Sequence, residues 1–331
     1  MTALRTPAGA AHARLLGVGG YRPSRVVPNS ELVEAIDSSD EWIRTRTGIT
    51  ERRWATPEET VTVMATAAGK AAIADAGLEP EQIDCVIIAT VSHFLQTPSL
   101  ASIVANELGT QNPAAFDISA ACAGFCHGIA LASDLVRGGS AGHVLVIGVE
   151  RLSDMTDLTD RGTAFIFADG AGAVVVGPSD EPGIGPVVWG SDGERSDLIT
   201  QAEPWPDALK HGTPPPLTMQ GNPVFRWASF TMAKTALEAL DRAGITPDDL
   251  DCFIPHQANM RIIDAMAKAM KLPERVKIAR DIADMGNTSA ASIPLALERM
   301  KREGEAKSGD VALMIAFGAG LAWAAQVVVV P

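Results

Sequence analysis

Two cysteines one helical turn apart, with a histidine beside the second, stand in DISAACAGFCHGIALASDLVRGG, residues 117–139. Cys122, Cys126 and His127 admit three chemistries: a thiolate nucleophile, a metal site, or inert core packing. The pattern argues against metal, because C-x3-C-H is not the haem-attachment spacing and no second cluster supplies further ligands. Neither a metal nor another cofactor is therefore expected. What separates a nucleophile from a core thiol is the element that carries it. AAFDIS (114–119) reads as a strand, and beyond Cys122 the apolar Phe125, Ile129, Ala132 and Val136 recur at helical spacing until Gly138 and Gly139. Cys122 is thus expected at a strand-to-helix turn, on the helix N-terminus. Unpaired amides and the helix dipole there stabilise an anion by roughly 0.3–1 kcal/mol and should lower the thiol pKa. Cys126, one turn into the helix, reads as packing together with His127.

A thiolate also wants a base or a donor. Of the six histidines, His256 follows the apolar strand DCFIP directly and opens QANMRIIDAMAKAMKL, which puts it at a strand end, where α/β active sites collect. His12, His93, His127, His143 and His211 stand in ordinary surroundings. An internal repeat supplies the third candidate. AGLEPEQIDCVI (76–87) aligns with AGITPDDLDCFI (243–254) at an offset of 243 − 76 = 167, and GHVLVI at 142 aligns with GDVALM at 309, again 167 apart. Cys85 and Cys252 hold the same place in the two copies and read as core. At the same offset Cys122 falls on Ser289, in GNTSAASIPLAL. That second helix start should face Cys122, bringing Asn287 with it. The turns DGAGAVVV and FGAGLAWA lie only 318 − 170 = 148 apart, so the first copy should hold about 19 extra residues, around RLSDMTDLTDRGT.

The elements that must position these residues follow from periodicity. MATAAGKAAIADAG (64–77) and FTMAKTALEALDRAG (230–244) read as helices ending at glycine, whereas CVIIATV and CFIP read as short strands apolar on both faces. Such strands belong to sheets covered on both sides, hence an α/β architecture with helices outside and between the sheets. GPSDEPGIGP (177–186) and HGTPPPL (211–217) supply breaks and an exposed loop. The uncharged run VALMIAFGAGLAWAAQVVVV (311–330) is long enough to cross a bilayer, but Gly318 and Gly320 interrupt it and its tail is β-branched. It reads as two buried strands joined by a glycine turn, and no membrane partner is expected. The chain has 331 residues, 47% hydrophobic and 20% charged, enough for one large domain or two ordinary ones. Its four cysteines, without a charged-apolar-small leader, argue for reduced thiols in a cytoplasmic protein. A net charge of −13 argues against nucleic acid, which requires a concentrated basic surface.

Seven motifs, in order, span nearly the whole chain: DSSDEWIRTRTGI (37–49), DISAACAGF (117–125), DRGTAFIFADGAGA (160–173), GNPVFRW (221–227), PHQANMRI (255–262), GNTSAASIP (286–294) and AFGAG (316–320). As a set they resemble the thiolase superfamily and, within it, the β-ketoacyl-acyl-carrier-protein synthase III family. The resemblance implies a thiolase-like α/β fold of two duplicated halves about a pseudo-twofold axis, stacked as five layers α-β-α-β-α. The halves would be residues 1–180, with the nucleophile and a coenzyme A loop insert, and residues 181–331, with the histidine and asparagine. It implies decarboxylative Claisen condensation of an acyl-CoA primer with malonyl-acyl carrier protein, initiating type II fatty acid synthesis in a homodimer.

The family's Cys-His-Asn trio falls on Cys122, His256 and Asn287. Elongating relatives carry two histidines, so asparagine at 287 points to the initiating class. Cys122 would hold the acyl group, and neutral His256 with Asn287 would donate hydrogen bonds to charge growing on the malonyl thioester oxygen. Backbone amides of Cys122 and Ala319 would form the oxyanion hole, each donor worth about 10²–10³ in rate. For coenzyme A, Trp42 and Arg161 would sandwich the adenine, Arg46 would meet phosphate, and Ser38, Gly221, Phe225, Ala258 and Asn259 would line the pantetheine tunnel. The acidic carrier protein would dock on Arg226, Gln257, Arg261, Lys268 and Lys271, with Arg261 and the two lysines near one face of a helix opposite Ile262, Met266 and Met270. Where acetyl-specific relatives close the acyl pocket with a phenylalanine from the neighbouring subunit, this chain has Thr97, which implies room for branched, propionyl or longer primers. Three rival readings are a priming ketosynthase of an aromatic polyketide pathway, a Cys-His-Asn hydrolase with papain-like chain order, and a non-catalytic scaffold. The hydrolase leaves the duplication and DEWIRTRTGI unexplained, and the scaffold leaves the intact trio unexplained.

Overall fold

The structure, a computed structural model, describes residues 4–331 apart from Thr6. In the first half, β1 (His12–Tyr21) leads to β2 (Arg25–Pro28), α1 (Asp40–Thr47) and β3 (Glu51–Trp54). Then come α2 (Val61–Asp75), β4 (Cys85–Ala89), α3 (Leu100–Leu108), β5 (Ala114–Ile118), α4 (Gly124–Gly138), β6 (Val144–Arg151) and β7 (Asp169–Ser179). The second half opens with β8 (Val188–Ser191), β9 (Ile199–Gln201), α5 (Trp205–His211), β10 (Leu217–Met219) and α6 (Gly221–Arg242). It closes with β11 (Cys252–Pro255), α7 (Met260–Ala269), β12 (Lys277–Ile278), α8 (Ile282–Met285), α9 (Ser292–Arg302), β13 (Val311–Gly318) and β14 (Ala322–Val329).

Two five-stranded sheets run β5-β4-β6-β7-β1 and β12-β11-β13-β14-β8. Strand for strand they share directions: the first two pairs of each sheet are parallel and the last two antiparallel. The repeat in the sequence is therefore a repeat of topology. Alternation along each strand divides side chains between two covered faces. Cys85 and Ile87 of β4, with Val144 and Val146 of β6, point to a central core shared with α4 and α9, and Cys252, Ile254, Ala312 and Met314 reach the same core from the other sheet. Val86, Ile88, Leu145 and Ile147 pack outward under α2 and α3, while Phe253, Leu313, Ile315 and Phe317 pack under α6 and α7. The result is five layers, α-β-α-β-α.

The helices start and stop where local chemistry dictates. Thr60 caps α2 by accepting from the Val63 amide, and α4 ends at Gly139, whose φ of 74° is a left-handed cap. The uncharged run 311–330 forms β13 and β14, paired from Val311↔Val329 to Gly318↔Ala322. Among the described residues no helix is long and apolar enough to cross a membrane.

Two details of the repeat differ from the expected alignment. Residues 152–168 join β6 to β7 where 319–321 join β13 to β14, so the insert is 17 − 3 = 14 residues, not 19. The glycine turns misled: Gly318 ends β13 and so corresponds to Arg151 of β6, whereas Gly170 lies inside β7. The helix-start turns also slip by one. Ala121 (φ 46°) and Ser289 (φ 50°) share the left-handed position, and α4 and α9 begin at Gly124 and Ser292, an offset of 168. Ala290, rather than Ser289, is the counterpart of Cys122, because the α8 segment lengthens the approach to the second turn.

Candidate active site

Cys122 sits in a single 3-10 turn, Ala121–Ala123, between β5 and α4. The turn is wedged against the end of the opposite sheet. A Cβ on Gly318 would lie 2.8 Å from the Cβ of Cys122 and 3.1 Å from its sulfur, so only glycine lets β13 approach the nucleophile this closely. In mirror fashion, a Cβ on Gly148 of β6 would meet the Ala290 carbonyl oxygen at 2.2 Å. Each half thus presses its helix-start turn onto the other's sheet.

Cys122 is half-buried. Burial pushes its pKa up to about 11, with the Glu150 charge adding to the rise and the Ser289 hydroxyl opposing it. Desolvation opposes the lowering expected from the helix terminus and outweighs it, since a dipole contributes only roughly 0.3–1 kcal/mol. The resting nucleophile is a thiol. Cys126 is buried on α4 and its pKa is also raised by burial, while His127 bonds the Ala123 carbonyl through Nδ1 at 2.9 Å and stacks on Trp189. Both belong to packing. Cys85 and Cys252 are buried in the central core.

His256 follows β11 and is buried, its backbone amide donating to the Ile315 carbonyl at 2.8 Å. Nδ1 lies 2.7 Å from the Ser292 hydroxyl at the start of α9. The Ser292 hydroxyl also accepts from the Gln257 amide at 3.4 Å, and the tautomer in which this hydroxyl donates to Nδ1 carries the imidazole hydrogen on Nε2. Burial drives the His256 pKa down to about 3. The ring is neutral, and neutral is what a hydrogen-bond donor to a developing oxyanion must be if it is not to be a proton donor. Asn287 is fixed at three points: its amide donates to Ile166, its carbonyl accepts from Ala168, and its side-chain oxygen accepts from the Ser289 amide at 2.8 Å. That last bond identifies the oxygen and leaves the Asn287 side-chain NH₂ as donor. The 152–168 insert supplies two of the three anchors.

Cys122 lies at the junction of two cavities. The smaller, about 310 Å³, holds Cys122, His256 and Asn287 at its base and runs past Phe225 and Ala258 to Trp42 and Arg46. The larger, about 680 Å³, extends from Cys122 and Ala319 past Phe167, Ile199 and Leu217 to Gln96 and Trp205. The thiol can therefore meet one ligand through the smaller cavity while the larger one accommodates an acyl group. At the tunnel mouth the Arg161 guanidinium lies 5.4 Å and that of Arg46 5.7 Å from the centre of the Trp42 ring, and Arg261 stacks on Phe225 at 4.9 Å. Trp42 is half-exposed, so the arrangement suits a planar base.

Gly221 and Asn259 also line the tunnel. The Asn259 side chain is spent on structure, accepting from the Arg261 amide as the cap of α7 and donating to the Arg46 carbonyl at 3.1 Å. Ser38 does not reach the tunnel lining and has its hydroxyl unpartnered just before α1. Gln257 is corrected as a docking residue: it is 1% exposed, with its amide donating to Pro255 and Ala279 and accepting from Ile282. Arg226, Arg261, Lys268 and Lys271 are exposed, while Ile262, Met266 and Met270 are buried beneath them. Thr97 is exposed, one residue beyond Gln96, and does not line its own chain's cavity. Sequence reasoning missed Glu150 and the roles of the hydroxyls of Ser289 and Ser292. A carboxylate ending the all-apolar run VLVIGV was the available signal. Among the described residues no group of three or more histidine, cysteine, aspartate or glutamate side chains is placed to hold a metal ion.

Residues 116–193 match the family model for 3-oxoacyl-[acyl-carrier-protein] synthase III, and residues 240–330 match the model for its C-terminal part. The chain is 60% identical to a β-ketoacyl-[acyl-carrier-protein] synthase III of Streptomyces glaucescens, with 100% of both chains covered. Among solved structures it superposes on the priming β-ketosynthase of a polyketide biosynthetic pathway with a TM-score of 0.97 at 49% identity, covering 100% of this chain and 99% of that one. It superposes on the 3-oxoacyl-[acyl-carrier-protein] synthase III of Aquifex aeolicus with a TM-score of 0.89 at 41% identity, covering 96% and 99%. With a cysteine, a neutral histidine and an asparagine converging where a tunnel meets an acyl-sized cavity, the chain belongs to the β-ketoacyl-acyl-carrier-protein synthase III family of thiolase-fold condensing enzymes.

Proposed function

We propose that the protein joins an acyl-CoA primer to malonyl-acyl carrier protein, giving 3-ketoacyl-acyl carrier protein, CO₂ and coenzyme A, and so initiates type II fatty acid synthesis. The observation that carries this reading is the position of Cys122 between two cavities, with His256 and Asn287 at the base of the narrower one. The primer's pantetheine enters the tunnel, its adenine stacking at Trp42 and Arg161 and its phosphate meeting Arg46. Cys122 takes the acyl group, whose carbonyl oxygen is held by the backbone amides of Cys122 and Ala319, and the acyl chain lies in the larger cavity.

After coenzyme A leaves, the malonyl arm occupies the same tunnel. Loss of CO₂ places negative charge on the thioester oxygen, and His256 Nε2–H with the Asn287 amide donate to it. Neither group changes protonation, which the depressed pKa of His256 favours. The resulting carbanion equivalent attacks the acyl carbon on Cys122, the carbon–sulfur bond breaks to release the product and the Cys122 thiolate, and a proton from solvent restores the thiol. The carrier protein docks on Arg226, Arg261, Lys268 and Lys271, whose local positive charge offsets the chain's net −13. Thr97 faces the acyl pocket of a second subunit, and its small side chain favours branched or longer primers.

A priming role in polyketide synthesis has the support of the 0.97 superposition and requires the same chemistry at the same residues. Incubation with isobutyryl-CoA and malonyl-acyl carrier protein tests the condensation: CO₂ release with a 3-ketoacyl product is expected, and hydrolysis without carbon–carbon bond formation would refute it.

A further inference from the structure

Condensation as described asks the Asn287 side chain to present its NH₂ to a developing charge, yet a single hydrogen bond holds that side chain. Its oxygen accepts from the Ser289 amide at 2.8 Å, and among the described residues it has no other hydrogen-bond partner. The aim of the NH₂ is therefore set by where the Ser289 turn sits. Ser289 is 3% exposed and left-handed, with φ 50°, a conformation that a non-glycine residue keeps only when its surroundings hold it there.

What holds it is a buried acid that none of the steps above uses. Glu150, near the end of β6, is 0% exposed, and among the described residues no arginine or lysine pairs with it; the adjacent Arg151 turns to Asp154 at 3.1 Å. Its Oε1 accepts from the Ser289 hydroxyl at 3.3 Å. Its Oε2 accepts from the hydroxyls of Ser92 at 2.6 Å and Thr90 at 3.3 Å, and the Val91 amide reaches both oxygens, at 3.3 and 3.2 Å. With so many donors fixing the carboxylate, Oε1 is a rigid anchor for the turn. Gly148, two residues earlier on the same face of β6, seats that turn as well, since a Cβ there would lie 2.2 Å from the Ala290 carbonyl oxygen. The strand grips the turn twice, by close backbone approach and by a side-chain bond.

The duplication supplies a comparison within the chain. Ala121 holds the left-handed place of Ser289, and Phe317, one residue before Gly318, holds the place of Glu150. At these positions the nucleophile turn has neither hydroxyl nor carboxylate; Phe317 instead packs edge-on against the His256 ring, with 5.4 Å between centres. The polar pair stands only on the turn that carries a donor amide.

We infer that Glu150 is a positioning residue for the condensation step, holding the Ser289 turn so that the Asn287 NH₂ stays aimed at the thioester oxygen. Glu150 lines neither cavity and acts through the Ser289 hydroxyl and amide, so no proton moves along this tether. The inference rests on the donor role proposed for Asn287.

The test separates the two half-reactions. Acylation of Cys122 by acetyl-CoA is timed first; the acyl enzyme is then mixed with saturating malonyl-acyl carrier protein, and CO₂ release is followed over a single turnover. Loss of a whole oxyanion donor costs about 10²–10³ in rate, so a donor that is present but loosened should cost on the order of tenfold. Ser289→Ala and Glu150→Ala should each slow CO₂ release by about that factor while acylation slows far less. The two together should slow it no more than Glu150→Ala alone, because both cut the same tether, and in an Asn287→Ala background neither should slow it further. Equal slowing of both half-reactions, further slowing in the Asn287→Ala background, or CO₂ release at the parent rate in Ser289→Ala overturns the tether. Parent-rate release in Asn287→Ala would overturn the donor role itself, and the tether with it. If Glu150→Ala does not fold, Ser289→Ala with and without Asn287 decides alone.

Discussion

Replacing Gly318 by alanine tests the contact on which the nucleophile's position depends. The residue has φ −173°, an extended conformation that alanine adopts without strain, so any effect comes from the added methyl alone. That methyl would lie 2.8 Å from the Cβ of Cys122 and 3.0 Å from its amide nitrogen. Non-bonded carbons settle at about 3.5–4.0 Å, so the nucleophile turn must retreat by roughly 0.7 Å or more. A misplacement of about 1 Å in a reacting group costs on the order of 10²-fold, and loss of the Cys122 amide from the oxyanion hole would add a comparable factor. Acyl transfer from labelled acetyl-CoA to Cys122 should therefore slow by about 10²-fold or more. The stability cost should stay within about 1–3 kcal/mol, the range for overpacking, read from denaturant unfolding. Gly148→Ala is the reciprocal substitution: its methyl would meet the Ala290 carbonyl oxygen at 2.2 Å, a backbone atom, and should cost more stability. Acyl transfer at the parent rate in Gly318→Ala, with stability unchanged, would refute the argument that this contact sets the geometry.

His256→Ala should abolish malonyl decarboxylation while leaving acylation of Cys122 within about tenfold of normal, since the two steps use different donors; equal loss of both would contradict this. Burial lowers the His256 pKa to about 3, so the unfolded chain binds more protons than the folded one between about pH 3 and 6.5. Its contribution to stability is full above pH 6.5 and is lost as pH falls through that window, and Tm measured against pH should be less acid-sensitive in His256→Ala than in the parent. Trp42→Ala should raise KM for acyl-CoA by the loss of about 1–3 kcal/mol of stacking while hardly changing kcat, measured by initial rates. Lys268→Glu should raise KM for malonyl-acyl carrier protein without altering that for acyl-CoA, more strongly at low salt. Thr97→Phe should shift primer preference toward acetyl-CoA in competition assays, and no shift would remove Thr97 from the acyl pocket.

The alternation of the strands, the helix of Cys122 and the strand-end place of His256 were readable from one sequence because each depends on local periodicity. The duplication was readable too, since β4 and β11 each begin at the cysteine of an Asp-Cys pair, residues 84–85 and 251–252. Legibility failed where tertiary contacts decide. Nothing in PHQANMRI distinguishes a tunnel-lining Ala258 from the buried Gln257 one residue earlier; the difference is that the Gln257 amide must satisfy backbone groups of Pro255, Ala279 and Ile282. The thiol pKa failed likewise, because desolvation is set by all that surrounds Cys122 and not by the helix start visible in the sequence. The similar glycine turns suggested a wrong length for the insert because glycine serves close approach at different points of each strand pair, at Gly318 against Cys122 and at Gly170 against Leu295.

The crossed seating of the two helix-start turns makes the site a property of the docked pair. Cys122 comes from the first half but is shaped by Gly318 of the second, and Ala290 of the second half is seated on Gly148 of the first. Neither half produced alone would retain partial activity, and mixing separately produced halves should recover it only in proportion to their association. Catalytic competence is then an all-or-none reporter of closure between the halves. A cut in the exposed residues 180–182, before Gly183 and Gly185 pair with β1 and β14, would turn the enzyme into a split reporter whose signal is carbon–carbon bond formation.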